Sequence, residues 1–309
     1  MHILAFYRET TLSIVRRVMS PFSVLTDRGH SFSFLAHPTF DSSIVHGYHA
    51  CVLPNIIFDD SEYESYQKAV DQNQLFIYDL SEPLLLESER VVETLRLATA
   101  ITVPNAYLAS EVKYAAPGSR VHVLPTPVHI PYMMQGNRGA APQFRYIACF
   151  GPHAWHLVRA ALEEITKIYA HIHILGDAHA REELGELVSP LEVLVDNWPL
   201  TVRHALMALL PQEGLSGEDT VWAYEYGILS RAIITTPASS YSRLLPKGAA
   251  LYADDTSSWV RAIRTLIRDE KSRSELGNML FREANLARST KLADAWLDVY
   301  SHKILPHLP

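Results

Sequence analysis

The segment AYEYGILSRAIITTPASSY, residues 223–241, sets a carboxylate, Glu225, in a helix-like stretch that passes through a small-residue turn into an apolar run. An ionised carboxylate only accepts hydrogen bonds, through two oxygens, so its natural partners are hydroxyls, N–H groups and cations. His153 and His156 have a spacing that two metal ligands on a helix could use, and His171 and His173 would share one face of a strand. Neither pair has a third ligand close by in the chain, so polar loop and strand-face histidines are the favoured reading. The doublets Asp59-Asp60 and Asp254-Asp255 follow strand-like runs, where helix caps or turns account for them. The chain has no G-x-G-x-x-G, Walker loop, G-x-S-x-G, C-x-x-C or H-E-x-x-H, and no D-x-D pair to hold a divalent cation on a diphosphate. No metal and no cofactor is expected.

The elements that would position these residues come from the period of the sequence. Short apolar runs, HILAFY (2–7), HSFSFL (30–35), HACVLPN (49–55), QLFIYDL (74–80), AITVPN (100–105) and RVHVLPT (120–126), are separated by helical lengths. A polar stretch with Gly and Pro, MQGNRGAAPQF (134–144), interrupts, and the alternation restarts with RYIACFG (145–151), HIHILGD (171–177), LEVLVDN (191–197), ALMALLP (205–211), RAIITTP (231–237) and AALYADD (249–255). Two halves of strand-helix alternation imply two α/β domains, each a doubly wound, Rossmann-like parallel sheet covered on both faces. Ligands of such sheets sit at the carboxyl ends of the strands, and two facing sheets make a cleft. The tail carries amphipathic helix patterns, the first with Val260, Ile263, Leu266 and Ile267 on one side. The last of them has two places open to it, the second half or a crossing back to the first.

Composition excludes several classes. With 309 residues, 48% hydrophobic and 20% charged, the chain can bury one large core or two ordinary ones, and length slightly favours two. Its formal charge of −7 repels phosphate backbones over the surface as a whole. The opening MHILAFYRETT turns polar too early for a signal peptide and no later run spans a bilayer, so no transmembrane segment and a cytoplasmic location are expected. Cys51 and Cys149 lie in apolar, strand-like runs and read as buried free thiols.

At EYGILSRAIITTP the chain resembles the second-domain segment E-Y-x-x-x-G-x-P-V-[IV]-[AT]-[ST] of GT-B glycosyltransferases of the group-1, family 4-like kind, in particular short bacterial and phage members. More of the chain resembles the same family in the same order. RVMSPFSVLTDRGHSFSFL is similar to the R-x-x-x-P first helix, FIYDLSEPLLL to the Tyr-Asp segment, and LATAITVPNAYLASEV with RVHVLPTPV to the passage that closes the first domain. CFGPHAWHLVRAALEEI is similar to the Gly-rich turn opening the second domain, and SSWVRAIRTLIRDEKSRSELGNML to the penultimate helices.

The resemblance implies that Glu225 accepts hydrogen bonds from the ribose hydroxyls of a sugar nucleotide; the residues alone leave a helix-surface Glu in a salt bridge as the alternative. Tyr226 is counted with the same donor-binding set. The donor's diphosphate would lie at the N-terminus of the helix after Gly151, lined by His153 and His156, where free N–H groups and the helix dipole favour negative charge. Arg159, one turn on, reads equally as a phosphate ligand or a solvated helix charge. The chain departs from the pattern where short members carry a Lys before the Glu: GEDTVWAYE has Glu218 and Trp222 there. A leaving diphosphate develops charge that a donor must meet, and Arg17, Arg231 and Arg243 are the basic residues in segments that the resemblance turns towards the cleft. Ser230-Arg231-Ala232 replaces the usual Gly-x-Pro turn, the second carboxylate of E-x7-E is missing, and Ser81 and Glu82 stand where Asp-Asp is usual.

The expectation is therefore a GT-B protein with residues 1–140 on the acceptor side and 141–309 on the donor side of a cleft. Its activity would be metal-independent transfer of a sugar from a nucleotide-sugar donor, with retention. No catalytic residue is assigned. The acceptor stays open among a glycan, a lipid-linked glycan, a protein and, last, a nucleic acid. Loops with Tyr7, Arg8, Pro54 and Asn55 would meet it, or are polar simply because they are loops. The alternative is a degenerate GT-B domain that binds a sugar nucleotide or a protein partner without turnover. An epimerase of the same build would need a catalytic Glu and Asp with a basic pocket, and the chain offers no matching set.

Overall fold

The computed structural model describes residues 2–11, 14–27, 29–128, 146–151, 153–189, 202, 204–213, 221–237, 239–287 and 289–300. In it the runs without polar positions are parallel strands, since a strand covered on both faces has no solvent side to mark by alternation. All five residues of β3 (Ala50–Pro54) and all six of β9 (Ala205–Leu210) are buried.

The chain divides into two compact units. The first holds residues 1–127 with 289–309 and a short piece at 217–219, and the second holds 128–216 with 220–288. In the first, β1 (His2–Tyr7), β2 (Ser31–Ala36), β3, β4 (Leu75–Asp79), β5 (Ala100–Val103) and β6 (Val121–Val123) form a parallel sheet in the order β2-β1-β3-β4-β5-β6. β2 lies at an edge and has no buried residue, as a strand with one free flank can. Helix α1 (Ser20–Asp27) continues a π-helical turn at Val15–Met19. Helices α2 (Asp60–Asp71), α3 (Glu89–Leu97) and α4 (Ala106–Ala115) follow β3, β4 and β5. In the second unit β7 (Tyr146–Cys149), β8 (His173–Gly176), β9, β10 (Ala232–Thr235) and β11 (Leu251–Tyr252) are parallel in the order β11-β10-β9-β7-β8. The strand expected at 191–197, the linker at 134–144 and the boundary at 140/141 lie outside the described residues.

Two sheets whose first strand pairs inside the sheet, with helices between consecutive strands, are the doubly wound pattern. Helix α5 (His156–Ile168) follows β7, α6 (Ala178–Leu184) follows β8, α7 (Val221–Ile228) precedes β10 and α8 (Ser240–Leu244) follows it. Helices α9 (Thr256–Arg268) and α10 (Glu270–Ala284) complete the unit. Helix α11 (Ser289–Asp298) belongs to the first unit. There Trp296 meets Phe22 edge-on at 6.3 Å, and its indole N–H donates to the Pro125 carbonyl at 3.3 Å.

Both aspartate doublets are caps: Asp59 accepts from the Glu62 N–H at 2.9 Å, and Asp255 from the Ser258 N–H at 2.6 Å. Cys51 and Cys149 are buried free thiols whose ionisation burial suppresses. Among the described residues no helix is long and apolar enough to cross a membrane.

Candidate functional site at the carboxyl edge of the second sheet

β7 ends in Cys149, Phe150 and Gly151, and the chain turns there into helix α5. Gly151 has φ +108°, and a Cβ on it would lie 2.9 Å from His153 Nε2 and 2.9 Å from Trp222 Cε2, so conformation and space both require glycine. Asp177, just past β8, fastens this turn from the side. Its Oδ2 accepts from the Gly151 N–H at 2.7 Å while its Oδ1 caps α6 through the Ala180 N–H at 2.9 Å. From the ends of β9 and β10 come buried Gln212, Thr235, Thr236 and Ser239. Thr236 Oγ1 donates to the Gln212 carbonyl at 2.7 Å and accepts its N–H at 3.1 Å, which joins the two strand ends into one polar ledge.

The start of α5 is the place proposed for a diphosphate, and its donors have partners already. The His153, Ala154 and Trp155 N–H groups go to the carbonyls of Gly151, Pro211 and His153 at 2.9, 3.0 and 2.9 Å. The His156 N–H goes to Glu183 Oε2 at 3.0 Å, and Leu157 and Val158 each bond three residues back at 3.1 Å. A carboxylate at a helix N-terminus is electrostatically favoured for the same reason a phosphate is. A diphosphate on this turn therefore competes with Glu183. His156 is exposed, not on the floor of a pocket, and its Nε2 meets Glu213 Oε1 at 2.9 Å. That hydrogen bond, with the charges of Glu213 and Glu183 behind it, raises the His156 pKa against a smaller desolvation effect.

His153 lies inside the turn, 2% exposed, with its ring at steep angles to Trp155 (5.3 Å), Tyr241 (6.1 Å) and Trp222 (6.2 Å). It and His156 point to different surroundings, and among the described residues no group of three His, Cys, Asp or Glu is arranged to hold a metal ion. His173 begins β8 and His171 precedes it, both exposed.

Glu225 sits on α7 and is 1% exposed, which removes the helix-surface reading. The helix is buried nearly all round because α10 comes unusually close. A Cβ on Gly227 would be 2.8 Å from the Leu280 carbonyl oxygen, and one on Gly277 only 2.2 Å from that of Ser230. Tyr226 is fully buried; burial first, then the neighbouring Cys149, Asp177 and Glu225, drive its phenol well above the ordinary range. Gly151, Asp177, His153, Trp222 and Tyr226 thus belong to one neighbourhood, with Glu225 next to Tyr226 on α7, and Trp222 packs its indole on the glycine turn.

Two arginines from the sequence reading, Arg231 and Arg159, do not join it. Arg231 precedes β10 and so lies at the amino ends of the strands, where its Nε and Nη1 bond the carbonyls of Leu229 and Ala205 at 2.9 and 3.0 Å. It is a structural residue at the wrong edge of the sheet for a ligand. Arg159 bonds Glu163 at 3.3 Å and the Glu183 carbonyl at 2.7 Å, closing the end of α6 and not the glycine turn. Arg17 belongs to the first unit. There it is 2% exposed and bonds Asp79 through two nitrogens, with Nη1 on the Leu124 carbonyl and Thr126 hydroxyl at 2.9 Å each. Arg243 is exposed in the last turn of α8, and Glu218 lies outside the described residues.

In the first unit the strand-end residues are tied into the fold. Arg8 bonds the Ile57 carbonyl and pairs with Glu62. Tyr7 is buried, Pro54 ends β3, and Asn55 bonds Ser81 through its amide nitrogen at 2.7 Å and its amide oxygen at 2.9 Å. Ser81 and Glu82 serve this Asn55 turn, whose φ is +50°.

No family model matches the chain, and no curated protein matches it. Solved structures do. Sucrose-phosphate synthase from Thermosynechococcus elongatus aligns with TM-score 0.71 at 11% identity, over 97% of this chain and 98% of that one. The HepE protein of Anabaena, solved in complex with UDP-glucose, aligns with TM-score 0.72 at 10% identity over 97% and 99%. A Listeria monocytogenes protein described as a candidate UDP-N-acetylglucosamine 2-epimerase aligns with TM-score 0.60 at 9% identity over 97% and 95%. With two doubly wound parallel sheets in one chain, these whole-length alignments show the GT-B fold.

Proposed function

We propose that this chain is a nucleotide-sugar-dependent glycosyltransferase whose second unit binds the donor at the carboxyl edge of its sheet. The observation that supports it most is the gathering of the Gly151 turn, Asp177, Trp222 and Tyr226, the neighbour of Glu225 on α7, in a fold aligned over its whole length with a protein that carries UDP-glucose. In this reading the Glu225 carboxylate receives the ribose hydroxyls, and the donor's diphosphate takes the start of α5 by displacing Glu183. In the family that the sequence resembles, short members carry a lysine where Trp222 stands, so the leaving group relies on the His156 N–H that Glu183 releases and on the helix dipole more than on a cation. The first unit's strand-end loops are left for the acceptor. Retention is what the resemblance to the family implies, and transfer proceeds without a metal, for the chain has no D-x-D pair.

A second reading, donor binding without turnover, is favoured by one observation: Arg17, Arg159 and Arg231 are committed to protein carbonyls and carboxylates. Incubation with a panel of nucleotide sugars, followed by mass spectrometry for free nucleotide, separates the two. Release of one nucleotide, dependent on an acceptor and indifferent to EDTA, supports the transferase. Saturable binding with no release supports the second reading, and manganese-dependent release contradicts the metal-free mechanism.

A further inference from the structure

Helix α9 carries three arginines and no acidic residue, in a chain whose formal charge is −7. Its apolar stripe of Trp259, Val260, Ile263 and Leu266 is buried in the second unit's core. Arg261, Arg264 and Arg268 follow one another at i, i+3 and i+7, a spacing that puts them on one side of the helix. With Glu164 of α5, Ser257 and Thr265 they line a groove of about 480 Å³.

The three guanidinium groups are not equally placed. Arg268 is anchored, its Nε donating to the Tyr169 hydroxyl at 2.9 Å. Among the described residues no hydrogen bond or ion pair holds Arg261 or Arg264, although Arg264 is half-buried; Arg261 only feels the charge of Asp255. Like charges at i, i+3 and i, i+4 work against a helix, so packing of α9 alone gives no reason for this arrangement. A bound anion does.

The lining narrows the ligand. A guanidinium fork matches phosphate oxygens in a bidentate manner, while a carboxylate accepts from hydroxyls and repels phosphate. A continuous polyanion would have to pass over Glu164, and a flat anionic surface would not enter a groove. The volume suits a small molecule. We propose that the groove is a binding site for a small sugar or polyol bearing two phosphates, held by Arg261 and Arg264 through its phosphates and by Glu164 through a hydroxyl. It lies within the second unit and shares no residue with the carboxyl-edge site, so it stands apart from the donor reading.

Calorimetric titration of the full chain with fructose 1,6-bisphosphate, and with pyrophosphate as a probe that has no hydroxyl groups, tests it. Saturable binding of both is expected, with at least a tenfold loss in Arg264→Gln and in Arg261→Gln and unchanged melting curves for these two variants. Glu164→Gln should divide the probes, tightening pyrophosphate several-fold and weakening the sugar bisphosphate. No saturable binding to wild type at millimolar concentration would overturn the proposal, as would affinities indifferent to Arg264→Gln. Equal tightening of both probes in Glu164→Gln would also overturn it, since the groove would then be a general anion patch.

Discussion

Arg17 and Asp79, 62 residues apart in the chain, form a buried two-point ion pair at 2.6 and 2.8 Å, and the Thr102 hydroxyl donates to the same carboxylate at 2.6 Å. The guanidinium also lies 5.6 Å from the centre of the Trp296 ring, so the pair ties the π-helical turn before α1, the ends of β4 and β5 and helix α11 together within the first unit. Removing one partner of a buried pair leaves the other charge uncompensated. Asp79→Asn should therefore cost about 3–5 kcal/mol of first-unit stability. Hydrogen exchange of first-unit amides checks this: faster exchange there is expected, with second-unit amides unchanged. Unaltered protection of β4 and β5 would refute it.

At the second unit's turn, Gly151→Ala is expected to lose about 1–3 kcal/mol from backbone strain, with a further loss from the clash with Trp222. The two contributions separate in a double-mutant cycle. In a Trp222→Ala background the cost of Gly151→Ala should fall by at least about 0.5 kcal/mol, read from denaturant midpoints. Strict additivity would mean that the indole does not press on the turn.

His156 titrates with a pKa raised in the folded protein, chiefly by its hydrogen bond to Glu213. A raised folded pKa makes the contribution complete below the unfolded value of about 6.5 and lost as pH rises through the folded value. The ring is more than half exposed, so solvent screening holds the stability effect to about 1 kcal/mol or less. An NMR titration of the imidazole should give a pKa above that of a free histidine, falling in Glu213→Gln. Coincident curves for the two proteins would show that the contact does not persist in solution.

The sheets were open to sequence reading because parallel strands buried on both faces, such as ALMALLP, carry no polar position to blur them. Arg17 and Asp79 stood out in separate motifs, R-x-x-x-P and Tyr-Asp, but nothing local says that two such motifs meet. The position of Arg231 was readable in principle, since a residue just before a parallel strand stands at the edge away from ligands. The burial of Glu225 was not. It follows from the close approach of Gly227 to Leu280 and of Gly277 to Ser230, contacts between helices about fifty residues apart that no periodicity reports. Glu183 and Glu213 reach His156 from α6 and from the end of β9, and ordinary surface carboxylates look the same in a sequence. One consequence bears on mutagenesis. Because Glu225 is buried, Glu225→Gln is expected to lower stability as well as affinity, so binding must be measured where the variant is folded.

The most direct test of the donor-binding reading is a titration of wild type and Glu225→Gln with UDP and with GDP, at a temperature where melting curves show both proteins folded. If the carboxylate holds the ribose hydroxyls, wild type binds one of the two saturably and the variant loses about 1.5–3 kcal/mol, the range of a charge-assisted hydrogen bond. Equal affinities in the two proteins would remove Glu225 from the site, and no binding of either nucleotide to wild type would contradict the donor site itself.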